Sequence, residues 1–314
     1  MTTIAASGQR GEGVIGRLRS KLGLGHYALF TAFATYGLIV LGGTVRATNS
    51  GEACPDWPLC HGEIIPPADT HVWIEFSHRL VASIVGFLIL GLVIAVWRRQ
   101  PRDPVLFRAV LIVGVLLLIQ VLVGGATVGL DTAAGIVAVH LTIALSLLAG
   151  LIFVTVRLLR DQAATAARLE WFPAVVAFGI LALIISGVFV SQRHAGLAYP
   201  DWPLFDGKVT PADSEVGQLH YAHRIVAGFS ALLVFGLFVH AARARVPSTV
   251  VWGLAIVCAL YVAQALLGAA NIWLDLATSV RILHLALASA VWAVLVFTMV
   301  WAYQHGHTLT KGSA

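Results

Sequence analysis

Cys54-Pro-Asp-Trp-Pro-Leu-Cys-His-Gly62 returns 145 residues later as Tyr199-Pro-Asp-Trp-Pro-Leu-Phe-Asp-Gly207. Pro-Asp-Trp-Pro-Leu is identical in the two copies, and each is followed at the same offset by a matching segment, His78-Arg-Leu-Val-Ala82 and His223-Arg-Ile-Val-Ala227. A second register, offset by 144, pairs Gln120 with Gln264, Gly124 with Gly268, Asp131 with Asp275 and His140 with His284. Such recurrence is a duplication, and a duplicated chain is understood through its unit. The residues around each copy define that unit. Eight apolar stretches, 27–45, 72–97, 106–128, 135–157, 172–191, 219–241, 249–270 and 280–303, fall four to each copy. A helix crosses the bilayer core with about 20 apolar residues, so each stretch is read as one crossing. Open strands are excluded because lipid cannot satisfy an unpaired backbone group, and the stretches are too long for barrel strands. The expectation is an all-α integral membrane protein of eight transmembrane helices, in two pseudo-symmetric parallel four-helix bundles. An even number of crossings per unit gives both halves the same orientation, related by an axis along the membrane normal.

Composition agrees. Of the 314 residues, 59% are hydrophobic and 11% charged, against about 25% charged in a soluble domain, and the mean hydropathy is +0.88. The pI near 9.4 does not point to nucleic acid, because the basic residues sort by side. With the N-terminus inside, 14 of the 20 Lys and Arg fall in the cytoplasmic segments 10–21, 98–108, 157–168, 243–245 and position 311, as the positive-inside rule requires. The loops 46–71 and 192–218 then lie outside. The domain plan is a cytoplasmic N-terminal tail (1–26), an N-terminal half (27–157), a cytoplasmic connector (158–171), a C-terminal half (172–303) and a cytoplasmic tail (304–314). Residues 1–26 lack the apolar core and cleavage site of a secretory signal. They are Arg-rich and acid-poor in the manner of a mitochondrial presequence, but we read them as a short tail.

Histidine inside a membrane is expensive and marks function. His26, His61, His71, His194, His240, His305 and His307 fall at helix ends or in loops and are read as surface residues. His78, His140, His223 and His284 lie five or six residues inside the even-numbered helices, all at the same depth below the outer surface. One buried histidine alone is usually bonded to a neighbouring carbonyl. Four in two matched pairs suggest imidazoles bracketing a porphyrin iron. Zinc fits less well, since it needs three or four protein ligands. Covalently attached c-type heme is excluded, because Cys60-His61 lacks a second cysteine at the required gap. Arg79, Arg224 and Arg281 stand beside the pairs, placed either to hold heme propionates bidentately or to snorkel to headgroups. Small residues such as Gly42-Gly43, Gly124-Gly125 and Gly268-Ala269 read as helix packing.

The copies diverge at two places. Glu75 stands three residues before His78, where the second copy has His220 before His223, so a carboxylate shares a helix face with one ligand only. It either transfers protons at a bound substrate or hydrogen-bonds in a polar outer mouth. Cys54 and Cys60 become Tyr199 and Phe205. Facing the oxidising side, where disulfides persist, the two thiols form either a structural staple or a redox-exchangeable pair. Cys258 reads as a small apolar filler.

Gly42-Gly-Thr-Val-Arg-Ala-Thr48, Asn49-Ser-Gly51, Cys54-Pro-Asp-Trp-Pro-Leu-Cys60 and Glu75-Phe-Ser-His-Arg-Leu-Val81, together with the four histidines, resemble the heme A synthases over roughly 27–303. The resemblance implies oxidation of a ring methyl of heme O to a formyl group, through hydroxylated intermediates, to make heme A for terminal oxidases. It implies a resident heme b on His223 and His284, a substrate heme on His78 and His140, and Glu75 as the essential carboxylate. The cysteine pair of the first loop belongs to the pattern, and some members carry a second pair that is missing here. Implied partners are heme O, heme O synthase, cytochrome oxidase assembly factors and an electron acceptor such as a quinone. The implied setting is the bacterial inner membrane, multi-pass, with both termini cytoplasmic. The rivals are a diheme membrane cytochrome that only moves electrons and a heme transporter or chaperone.

Overall fold

The computed structural model describes residues 5–98, 103–129, 133–160, 171–210, 212–244 and 246–304, with 5–22 as backbone only. Asp131, connector residues 161–170, the tail beyond Gln304, and Arg99, Arg102, Arg245, His305, His307 and Lys311 lie outside the described residues. Eight helices follow in order: α1 (Ala5–Ala47), α2 (Thr70–Arg98), α3 (Pro104–Gly129), α4 (Ala134–Leu159), α5 (Phe172–Gln192), α6 (Glu215–Arg243), α7 (Ser248–Trp273) and α8 (Thr278–Gln304). Each contains a stretch long and apolar enough to span a bilayer. Among the described residues there is no strand, only isolated bridges between Cys60 and Glu63 and between Phe205 and Lys208. The chain is an all-α, multi-pass membrane protein.

Local chemistry sets several helix starts. Asp69 Oδ1 accepts the N–H groups of His71 and Val72 at 2.9 and 3.1 Å ahead of α2. Asp103 Oδ1 does the same for Val105 and Leu106 at 3.0 and 3.2 Å ahead of α3, and Ser214 Oγ accepts from Gly217 N at 3.2 Å in α6. Each side-chain oxygen satisfies donors that the first helical turn leaves without a partner. Pro173 sits in the first turn of α5, where its missing N–H is harmless. The first helix differs from expectation at its start: its apolar part is Gly23–Ala47, but the helix begins at Ala5. An apolarity window detects the bilayer core, whereas the backbone ladder continues into water through residues such as Arg17, Leu18, Arg19, Lys21 and Leu22, all good helix formers.

In the first half α1 packs on α2 and α4, and α3 packs on α2 and α4. In the second half α5 packs on α6 and α8, and α7 packs on α6 and α8. α1 and α4 meet α8 across the middle, and α4 also meets α5. Leu145, Leu151 and Val154 of α4 and Leu295 of α8 are fully buried in this common core. Polar stitches cross the seam: Tyr36 Oη donates to Ala286 O at 3.0 Å, Trp292 Nε1 to Leu145 O at 3.0 Å and Arg281 Nη1 to Ala47 O at 3.0 Å. The Arg160 guanidinium sits 3.4 Å from the centroid of the Trp301 ring, a cation–π contact. The outer surface is apolar, with Phe87, Phe178 and Leu232 each 73% exposed, as suits a lipid-facing belt and would not suit water.

Candidate functional site

The two copies of the Pro-Asp-Trp-Pro-Leu loop fold alike. Asp56 accepts the N–H groups of His61 at 2.6 Å and Gly62 at 2.8 Å. Asp201 accepts those of Asp206 at 2.7 Å and Gly207 at 2.8 Å. These donors, led by Gly62 and by Gly207, hold both carboxyls below the usual carboxylate range, because a hydrogen bond to the charged form favours it. Gly62 and Gly207 take φ of +72° and +70°, the left-handed region in which glycine carries no Cβ penalty. Trp57–Pro58 and Trp202–Pro203 are both cis.

An arginine one turn below ties each loop to its helix. Arg79 Nη1 donates to Asp56 O at 2.6 Å and Leu59 O at 2.9 Å, and Nη2 donates to Cys54 O at 3.0 Å. Arg224 Nη1 repeats the first two bonds, to Asp201 O at 3.0 Å and Leu204 O at 2.7 Å. Both guanidiniums, expected at propionates or headgroups, also donate to loop carbonyls. Arg281, the third, reaches the end of α1 at Ala47 O.

The copies then part. In the first half Cys54 and Cys60 are joined as a disulfide and are buried against Val72. Glu75 is 5% exposed; its Oε1 takes Arg79 Nη2 at 2.5 Å and its Oε2 takes Cys54 N at 2.9 Å. Carboxylate, arginine and disulfide loop form one hydrogen-bonded unit above His78. In the second half aromatic rings fill the disulfide's place: Tyr199 and Phe205 meet edge to face at 5.1 Å, and Phe205 packs on Tyr221 at 4.7 Å. Arg224 turns Nε to His220 Nε2 at 3.1 Å and lies 5.1 Å from the centroid of the Phe205 ring. Its Nη2 is buried without a partner.

Below the loops the four histidines fall two to each half, His78 on α2 and His140 on α4, His223 on α6 and His284 on α8. A glycine of the neighbouring helix abuts each ring. A Cβ added at Gly42, Gly124, Gly187 or Gly268 would lie 3.0, 3.3, 3.3 or 3.4 Å from Cε1 of His78, His140, His223 or His284 respectively. Gly42, Gly124 and Gly268, expected from sequence only to pack helices, each abut an imidazole. Gln120 Nε2 lies 3.3 Å from His140 Nε2, and Gln264 Nε2 lies 3.2 Å from His284 Nε2. The duplication had paired these glutamines without assigning them a role, and their fixed distance of 20 residues before each histidine was the available signal.

The donor set suits heme. Among the described residues no group of three or more His, Cys, Asp or Glu side chains converges as a metal cage. A pair of imidazoles completes an iron centre only when another group supplies the remaining donors, as a porphyrin ring does. Nδ1 of His78, His140 and His284, with Oε1 of Gln120 and Gln264, are buried without partners. Buried polar atoms are rarely left so, and each of these belongs to a histidine or to a glutamine whose Nε2 meets a histidine ring.

Comparison with known proteins agrees with this geometry. The chain is 31% identical over 299 residues to Heme A synthase of Exiguobacterium sibiricum, covering 88% of this chain and 95% of that one. It is 30% identical over 295 residues to Heme A synthase of an Exiguobacterium sp., covering 88% and 93%. It is 31% identical over 267 residues to Heme A synthase of Staphylococcus aureus, covering 78% and 84%. The family described as COX15-CtaA, Cytochrome oxidase assembly protein, matches residues 25–296. That span holds both loops, the disulfide, Glu75 and all four histidines, and the chain belongs to the COX15-CtaA family.

Proposed function

We propose that this chain is an oxidoreductase that converts heme O to heme A by oxidising a ring methyl to a formyl group. The observation that carries the proposal is a repeated histidine pair with a buried carboxylate and disulfide unit above one copy only. The names of the relatives support the same activity. In this reading His78 and His140 hold the substrate heme in half 27–157, and His223 and His284 hold a resident heme b in half 172–303. Heme b, when bound, supplies one-electron chemistry between the substrate site and an acceptor such as a quinone.

The chain's own residues position and exclude. The glycines let α1, α3, α5 and α7 close on the imidazoles, and the close-packed apolar core keeps water from the seam. Glu75 is held at a fixed place by Arg79 and Cys54 N, one turn from His78, where it can take up a proton released at the substrate edge. Arg224, with a buried Nη2 to spare, and Arg281 are the arginines with capacity for a propionate. Arg79 could bind one only by giving up part of its clamp on the loop. The two bundles are parallel and pseudo-symmetric. The setting is a bacterial inner membrane, with the 158–171 connector and both termini in the cytoplasm, and heme O synthase and oxidase assembly factors are the neighbours.

The test is expression with a heme O supply, followed by mass and pyridine hemochrome analysis of extracted hemes. Wild type should yield heme A or its hydroxylated precursor, and Glu75→Ala should abolish that while still binding heme. His223→Ala should lose the resident heme, whereas His78→Ala should keep it and fail to convert. Wild type yielding only unmodified heme would favour the electron-transfer or carrier rivals.

A further inference from the structure

Of the four histidines, His223 alone is seen with a partner at Nδ1. Ser186 Oγ on α5 lies 2.7 Å from His223 Nδ1 and 2.7 Å from Leu183 O. A hydroxyl has one proton and a carbonyl can only accept, so the proton of Ser186 lies on the bond to Leu183. His223 therefore donates Nδ1–H to the serine oxygen. The opposite assignment would set two acceptors against each other at 2.7 Å. This bond fixes the tautomer: Nε2 is left without a proton, its lone pair free. The corresponding nitrogens of His78, His140 and His284 are buried without a partner. Ser186 immediately precedes Gly187, the glycine that seats His223. In the first copy the residue before Gly42 is Leu41, which offers no acceptor.

We infer that Ser186 is a positioning residue that makes His223 a retained ligand, and that Leu41 leaves His78 an exchangeable one. The inference rests on the assignment of His223 and His284 as heme ligands. A ligating histidine is oriented and made more basic by a partner on its other nitrogen, and loss of such a partner typically weakens metal binding 10- to 100-fold. A resident cofactor needs that hold. A substrate that must leave after each turnover is better served by an imidazole without it. Where the two copies present matching imidazoles, the Ser186 hydroxyl at Nδ1 of His223 is the contact that separates their residence times.

The experiment uses full-length protein purified from cells that make heme b, with Ser186→Thr, Ser186→Val, Ser186→Ala and His223→Ala variants. Thr and Val match in shape and differ in the hydroxyl. Three quantities are read: heme per chain, rate of heme loss to excess apomyoglobin, and midpoint potential. His223→Ala should be depleted of resident heme. Ser186→Val and Ser186→Ala should keep a two-imidazole spectrum, release heme about tenfold faster or more and show a raised potential, because a less basic imidazole favours ferric iron less. Ser186→Thr should behave as wild type. Equal loss rates and potentials in the Thr and Val variants, with His223→Ala depleted, would overturn the role of Ser186 and leave the ligand assignment standing. Full heme with an unchanged spectrum in His223→Ala would overturn the assignment, and the inference with it.

Discussion

At the scale of single residues, Arg79 carries more than its position suggests. It sits one turn from Glu75 on the same helix face, with side-chain exposures of 15% and 6%, and it also caps three carbonyls of the disulfide loop. Removing one partner of a buried ion pair leaves the other charge unpaired, at a cost of about 3–5 kcal/mol. Arg79→Met should therefore destabilise the protein by about 3 kcal/mol, measured by denaturant unfolding in detergent through tryptophan fluorescence. Adding Glu75→Gln to Arg79→Met should recover part of that loss. Arg224→Met should cost less, since its counterpart to Glu75 is His220 and no carboxylate is exposed by its removal. Equal costs for the two arginine variants would show that the loop carbonyls, and not the carboxylate, set the energy of the clamp.

At the scale of helices, much is legible in the sequence, for a physical reason. Apolarity over about 20 residues and a repeat with intact register locate crossings, so the stretches 72–97 and 135–157 sit inside α2 (Thr70–Arg98) and α4 (Ala134–Leu159). The four histidines were legible because a polar residue in such a stretch is conspicuous. What stayed hidden depends on which helix faces which. Gly42 reads as packing until α2 is placed opposite it, and nothing in the sequence marks Ser186 until α6 brings His223 to it. Arg79 looked free because its acceptors are backbone carbonyls, which every residue has and no motif marks. The close approach at Gly42 is itself testable. Alanine is the better helix former by about 1 kcal/mol, so Gly42→Ala should not unfold α1. Its Cβ would nevertheless lie 3.0 Å from His78 Cε1, tighter than an ordinary van der Waals contact, and the ring must shift. Uptake of added heme O by the N-terminal half, followed by difference spectroscopy, should fall several-fold while resident heme is unchanged. Uptake equal to wild type would mean that the glycine only packs.

At the scale of the whole molecule, the duplication fixes what lies at each end of the protein. Four helices separate the first loop from the second, so both loops, the disulfide and the outer ends of both histidine pairs lie at one end. Arg98, Arg108, Arg157 and Arg243 gather at the other, at or near the ends of α2, α3, α4 and α6. Charge of this sign is retained on the cytoplasmic side during insertion, and a disulfide persists on the oxidising side; both rules support the proposed orientation. Alkaline phosphatase fused after Trp202, in the second loop, should be active in a bacterial host, and the same enzyme fused after Arg98 should be inactive, with a cytoplasmic fluorescent reporter giving the reverse. The reverse pattern would place Cys54 and Cys60 in a reducing compartment, where their disulfide would not persist. It would also turn Glu75 and both histidine pairs toward the cytoplasm, so the proposed outward-facing substrate site would have to be abandoned along with the orientation.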